Sequence, residues 1–126
     1  MLDAIIRPHI DKPLSAIAKQ AVAAGVTANA VTTLGFALGM AAAALIATEL
    51  YWPALALLLV SRVADGLDGA IARQTRPTDL GGYLDITLDF IVYASVVFAF
   101  ALADPARNAL AAAFLTTSFM APASTF

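Results

Sequence analysis

The chain has 126 residues, of which 61% are hydrophobic and 13% charged, and its mean hydropathy is +0.84. Soluble domains carry about 25% charged residues, so this composition favours a protein that lies in lipid. The formal net charge of −2 gives no indication of a nucleic-acid partner, and without cysteine the chain has no disulfides or thiolate metal sites. We expect residues 1–126 to form a single all-α membrane domain, a polytopic helical bundle.

Residues 1–25 are predicted to form an amphipathic helix lying at a membrane interface. Their basic residues suit the headgroup region, and an ordinary soluble amphipathic helix is the alternative. Pro8 and Pro13 are expected to kink or split this helix. Charged residues precede any long apolar run, which argues against a cleaved signal peptide. The apolar positions that recur at helical spacing are Leu2, Ile5, Ile6, Ile10, Leu14, Ile17, Ala18 and Ala21.

Residues 26–126 are predicted to contain about four transmembrane helices. The first covers 29–50 and carries no charge from residue 30 to residue 48, which is long enough to cross a bilayer. Gly35 and Gly39 form a small-xxx-small pattern in it, which permits close packing of helices in lipid.

The second predicted span begins near Pro53 and crosses the bilayer only if its helix continues through acidic residues to about Arg73. A polar turn at 74–78 follows. The third helix covers 80–103, with Asp79 as its expected N-cap.

The last predicted span is a somewhat short helix at 106–120, ending before Pro122. Asp104 and Pro105 fit its N-cap and first helical position.

Basic residues indicate the orientation of these helices. Most of them precede the first span or flank the connection between the second and third, which places the N-terminus and the acidic stretch at the cytoplasmic face. The two groups are Arg7, Lys12 and Lys19, and Arg62, Arg73 and Arg76, whereas the opposite side has Arg107.

Five of the nine acidic residues lie between residues 61 and 90. Because each helical residue turns about 100°, five positions of the second helix share one face, and three positions of the third share another. The first set is Asp65, Asp68, Gly69, Ala72 and Arg73, and the second is Gly81, Asp85 and Asp89. A short turn then predicts two pairs of carboxylates facing each other across a narrow gap.

Four facing carboxylates need compensating charge. Two unit charges about 4 Å apart repel by roughly 4 kcal/mol at an effective dielectric of 20. Nearby arginines offer part of the compensation, and structural carboxylates paired with arginines are the simpler interpretation. Oxygen ligands alone favour Mg²⁺, Mn²⁺ or Ca²⁺, and ionisable residues at membrane depth are usually functional. We therefore favour a metal site suited to diphosphate chemistry.

The pattern Asp65-x2-Asp68-Gly69-x2-Ala72-Arg73, followed by Gly81-x3-Asp85-x3-Asp89, resembles the signature of the CDP-alcohol phosphatidyltransferases. A second, weaker resemblance is the segment Thr27-Ala28-Asn29-x-Val31-Thr32, where Ala28 replaces the family's proline. Members are integral membrane enzymes that displace CMP from a CDP-linked lipid or alcohol with a hydroxyl group.

The resemblance implies roles for individual residues. The metal ligands are Asp65, Asp68 and Asp85 together with Asp89, which is also the implied general base for the incoming hydroxyl. Positions near the cytidine and diphosphate are Gly69, Ala72, Arg73 and Gly81. Asn29 is a further nucleotide contact, with a helix cap as the alternative. Asp79 falls outside the motif, and the only histidine, His9, is expected on the interfacial surface.

The implied reaction uses Mg²⁺ or Mn²⁺, with two ions expected, and CDP-diacylglycerol or another CDP-alcohol as donor. The acceptor is an alcohol that the sequence does not name. The family usually has six membrane helices, so we expect either a truncated product or a short form that depends on homodimerisation. A membrane prenyltransferase with Asp-rich motifs, and a non-catalytic metal-binding fragment, are the alternatives.

Overall fold

The computed structural model describes the backbone of residues 2–123 and the side chains of residues 8–115, 117 and 118. Every regular element in that part of the chain is a helix, which confirms the predicted all-α class. The five helices are α1 (Leu2–Ala23), α2 (Ala28–Ala47), α3 (Tyr51–Gln74), α4 (Asp79–Ala103) and α5 (Ala109–Ala123).

Helix α2 is the centre of the bundle because it packs against both α3 and α4. Gly35 and Gly39 are buried in these contacts. A Cβ built at Gly35 would lie 3.2 Å from Ala64 Cβ, and one at Gly39 would lie 2.7 Å from Val92 Cγ1. The small-xxx-small pattern therefore brings α2 close to both neighbours. In the described part of the chain, α3 and α4 make few close backbone approaches to each other.

Helix α1 packs against α3. Ala18 is fully buried there, and Leu14 packs beside it. The Gln74 amide donates to the carbonyl oxygen of Ser15 at 3.0 Å, which ties the end of α3 to α1. The predicted split at Pro8 and Pro13 is wrong, because both residues lie inside one continuous helix. The side chains of Leu2, Ile5, Ile6 and Arg7, which the amphipathic pattern uses, lie outside the described residues.

Helix α3 runs through the acidic stretch to Gln74, as predicted. Residues 75–78 connect it to α4. The N-cap of α4 is Thr78 and not the predicted Asp79, because the Thr78 hydroxyl accepts from the Gly81 amide at 3.0 Å. Asp79 instead occupies the first turn of the helix, where its charge suits the helix dipole.

The start of α5 also differs from the prediction. Asp104 is the C-cap of α4, and one of its carboxylate oxygens accepts from the Arg107 amide at 3.2 Å. Pro105 therefore lies in the connecting turn, and α5 begins at Ala109. The helix bounds include Pro122, so the prediction that the helix ends before it is wrong.

Within residues 2–123, α2 and α4 are long and apolar enough to cross a membrane. The outward surface of the bundle is rich in large apolar side chains, as expected for contact with lipid. Exposed examples on the three central helices are Leu34, Leu59, Val63, Ile86 and Phe98.

Candidate metal and nucleotide site

Three of the four motif aspartates come together between α3 and α4. Asp65, Asp68 and Asp85 each present a carboxylate oxygen, and these three oxygens lie within 4.8 Å of one another. Asp68 is 3% exposed, and the other two are half-buried. The helical-angle argument predicted four facing carboxylates, and the structure brings three of them within this distance. We call these three residues the carboxylate cluster.

Neighbouring groups hold the carboxylate cluster in place. The Thr32 hydroxyl donates to Asp68 Oδ2 at 2.5 Å, and its oxygen also lies 3.0 Å from the carbonyl oxygen of Ala28. Asp85 Oδ1 is buried, and no hydrogen-bond partner reaches it in the described part of the protein. Burying a carboxylate oxygen without a partner costs free energy, and a bound cation would offset that cost.

Asp89 lies outside the carboxylate cluster and pairs with an arginine. Arg62 Nη2 lies 3.0 Å from Asp89 Oδ1, and Arg62 Nη1 lies 3.8 Å from Asp65 Oδ2. The arginine is anchored by Tyr93, whose hydroxyl accepts from Nη1 at 2.8 Å and whose ring centroid is 5.0 Å from the guanidinium carbon. The sequence placed Arg62 among the compensating charges but gave no sign of its partner on α4.

A cleft of about 140 Å³ adjoins the carboxylate cluster at the α3–α4 connection. Four of the five predicted nucleotide-contact residues line it: Asn29, Gly69, Ala72 and Gly81. Asn29 does not cap α2, because Thr27 does so by accepting from the Ala30 amide at 3.2 Å. A Cβ at Gly81 would lie 3.0 Å from Asn29 Oδ1, so this glycine keeps the cleft open between α2 and α4.

Arg73, the fifth predicted nucleotide-contact residue, is exposed on α3 beside the cleft. Its Nη1 lies 3.5 Å from the position that a Cβ at Gly69 would take. The cleft lining instead includes Arg76, which the motif does not contain, together with Thr32 and Thr78. In the sequence, Arg76 stands out only as a basic residue in the turn, and Thr32 only as part of the weaker second resemblance. Neither was predicted to line the cleft. Asp79 and His9 are not among the residues that line this cleft.

The described helices thus place three carboxylates beside a glycine-lined cleft, an arrangement whose chemistry suits a divalent cation held near a phosphorylated ligand. The family model described as CDP-alcohol phosphatidyltransferase matches residues 25–125. The chain belongs to the CDP-alcohol phosphatidyltransferase family, which confirms the resemblance inferred from the aspartate motif.

Curated relatives agree with this membership. The chain is 43% identical to the inner membrane protein YnjF of Escherichia coli over 126 residues, covering all of this chain and 61% of that protein. It is 36% identical over 103 residues to an archaetidylinositol phosphate synthase of Pyrococcus horikoshii, covering 81% and 55% of the two chains. A Methanothermobacter thermautotrophicus archaetidylinositol phosphate synthase is 41% identical over 86 residues, covering 68% and 40%. The chain thus spans less than two thirds of each relative's length. No solved structure matches it significantly.

Proposed function

We propose that this chain carries the active site of a membrane transferase that moves a substituted phosphate from a CDP-alcohol to an acceptor hydroxyl and releases CMP. The observation that carries the proposal is the carboxylate cluster beside the glycine-lined cleft. Family membership supports the same reaction class. CDP-diacylglycerol is the donor we favour, and phospholipid synthesis is the process it implies.

The residues present fit a hard divalent cation. All ligand atoms are carboxylate oxygens, which Mg²⁺ and Mn²⁺ prefer, and Asp85 Oδ1 has no hydrogen-bond partner among the described residues. Asp65, Asp68 and Asp85 would hold the cation, which, when bound, offsets the charge of the diphosphate and of the departing phosphate.

The nucleotide half of the donor would occupy the cleft beside the carboxylate cluster. Gly69 and Gly81 let a ligand approach the backbone of α3 and α4 closely, and Asn29 offers an amide from α2. Arg76 in the lining and Arg73 beside it bring positive charge to a site whose ligand is a diphosphate. Asp89 is not among the residues that line this cleft.

Asp89 is the group we assign as general base. It lies on α4 four residues after Asp85, where Arg62 Nη2 is 3.0 Å from its Oδ1, and it lines the same small cavity as the carboxylate cluster. Its carboxylate takes the proton of the acceptor hydroxyl as that oxygen bonds to the phosphorus of the transferred phosphate. The bond from this phosphorus to the bridging oxygen breaks, and the oxygen leaves with CMP.

The apolar outward surfaces of α2 and α4 support an integral, multi-pass membrane protein. We propose that α3 and α5 also cross the bilayer and that α1 lies at its cytoplasmic interface. The active site and the N-terminus then face the cytoplasm, because the basic residues cluster there. Residues 1–126 act as one membrane domain, and a homodimer is the assembly we expect in the bilayer.

The experiment is metal-dependent release of labelled CMP from CDP-diacylglycerol by the protein in a membrane fraction, with a screen of acceptors. Inositol phosphate is tested first because two relatives are named archaetidylinositol phosphate synthases. Glycerol 3-phosphate, serine and a second lipid follow. We expect Mg²⁺ or Mn²⁺ to be required and Asp89→Asn to abolish CMP release while CDP-diacylglycerol still binds.

Asp11→Asn is the matched control, because it neutralises an exposed carboxylate on α1 and leaves the cleft intact. CMP release by this variant should equal that of the unmodified protein. Full activity of Asp89→Asn would refute the assigned base. No CMP release with any acceptor would refute the proposed reaction and favour a non-catalytic metal-binding protein.

A further inference from the structure

Arg62 lies between two carboxylates that belong to different helices. Its two terminal nitrogens lie 3.0 Å from Asp89 Oδ1 on α4 and 3.8 Å from Asp65 Oδ2 on α3. The side chains involved are between 27% and 34% exposed, so water screens these contacts only partly. The guanidinium therefore supplies positive charge between Asp89 and one member of the carboxylate cluster, in a small cavity that all four motif aspartates line.

The guanidinium is also held in this position from outside the acidic site. The Tyr93 hydroxyl accepts from Nη1 at 2.8 Å, and the Tyr93 ring lies against the cation at 5.0 Å. Ser61 Oγ accepts from Nη2 at 3.4 Å and itself donates to the Gly35 carbonyl oxygen at 2.7 Å. An arginine that several partners already hold loses little freedom when it pairs with a carboxylate. These contacts fix Arg62 at Asp89.

A second divalent ion bridging Asp65 and Asp89 would meet this guanidinium. Like charges at such distances repel by several kcal/mol at an effective dielectric of about 20. The site contains four carboxylates and the Arg62 guanidinium. With one bound dication its net charge is near −1, and a second dication would make the net charge positive. The positions of the charges favour a single ion.

We propose that Arg62 takes the place of a second metal ion in the protein free of substrate. One divalent cation then binds at the carboxylate cluster, and Arg62 is a positioning residue that keeps Asp89 paired with its guanidinium. This inference rests on the metal site of the proposed function and adds the number of ions and the residue that sets it. It replaces the two ions expected from the sequence with one.

The test counts Mn²⁺ bound to the full chain in detergent micelles without nucleotide, by titration followed with electron paramagnetic resonance. We expect about one Mn²⁺ per chain for the unmodified protein and about two for Arg62→Gln, because the four carboxylates then lack a fixed counter-charge. Arg62→Lys keeps the charge and should bind about one ion. Arg107→Gln is the matched control, because it removes an arginine paired with Asp104 far from the cleft, and it should also bind about one ion.

A second variant keeps the test decisive if Arg62→Gln does not fold. Asp89→Asn should still bind about one Mn²⁺, since Asp89 is paired with arginine and is not a ligand in this state. Two bound Mn²⁺ ions in the unmodified protein, or one in folded Arg62→Gln, would overturn the role proposed for Arg62 and leave the metal site of the proposed function standing. No bound Mn²⁺ in the unmodified protein would instead overturn the metal site of the proposed function, and this inference with it.

Discussion

Replacing Gly39 by alanine should destabilise the bundle at the contact between α2 and α4. The added Cβ would lie 2.7 and 2.8 Å from the two γ-methyl carbons of Val92 and 3.2 Å from Ser61 Oγ. Distances below 3.0 Å require a shift. Val92 is 1% exposed and β-branched, so it has little rotamer freedom with which to make room. Overpacking of this kind costs about 1–3 kcal/mol.

The control is Gly82→Ala, because a Cβ at Gly82 meets nothing within 4 Å and both glycines lie inside helices. The change in helix propensity is about the same for the two variants, up to about 1 kcal/mol in favour of alanine. The difference between them therefore isolates the steric contact. The measurement is unfolding of the purified protein in mixed micelles by increasing denaturing detergent, followed by circular dichroism.

Val92→Ala in the Gly39→Ala background supplies the second arm of the test. Removing both γ-methyl groups should recover part of the lost stability, with a coupling of about 0.5–3 kcal/mol between the two positions. If Gly39→Ala unfolds at the same detergent fraction as Gly82→Ala, the close approach of α2 to α4 is refuted. A double variant no more stable than Gly39→Ala would show that Val92 is not the obstacle.

Two further predictions concern the site. Thr32→Val removes the hydroxyl that donates to Asp68, and because a hydrogen bond to a charged group contributes about 1.5–3 kcal/mol, Mn²⁺ affinity should fall roughly tenfold or more. Thr32→Ser should bind Mn²⁺ as the unmodified protein does, and equal affinity for all three would contradict this role. Gly81→Ala places a Cβ 3.0 Å from Asn29 Oδ1 and should raise the KM for the CDP-alcohol about tenfold while Mn²⁺ affinity is unchanged. Asp11→Asn is again the control, because Asp11 does not line the cleft, and an unchanged KM for Gly81→Ala would place the nucleotide elsewhere.

Much of this architecture follows from local regularities of the sequence. The 100° step of a helix predicted that Asp65 and Asp68 share a face, and the structure brings both to Asp85. The continuation of α3 through its charged residues was also predictable. Residues 65–73 can share one helical face only if the helix continues through them to the turn. The glycine spacing in α2 likewise predicted close packing, since a missing side chain permits close approach in any environment.

Other features depend on distances between helices, which sequence spacing does not contain. The pairing of Arg62 with Asp89 requires a long side chain to cross from α3 to α4, and the gap it crosses is set by how α2 packs against both. Thr78 and Asp79 are both good caps, so only the geometry of the turn decides between them. The continuity of α1 through Pro8 and Pro13 likewise goes against the local preference of proline to break a helix.

The position of α2 has a mechanical consequence. In the described part of the chain, α3 and α4 make few close backbone contacts with each other, and both pack against α2. The repulsion between their carboxylates is therefore opposed mainly by the packing of each helix on α2. The Arg62–Asp89 pair also links α3 to α4. A ligand that contacts both α3 and α4 adds a second connection between these helices. Binding in the cleft then stabilises the folded bundle.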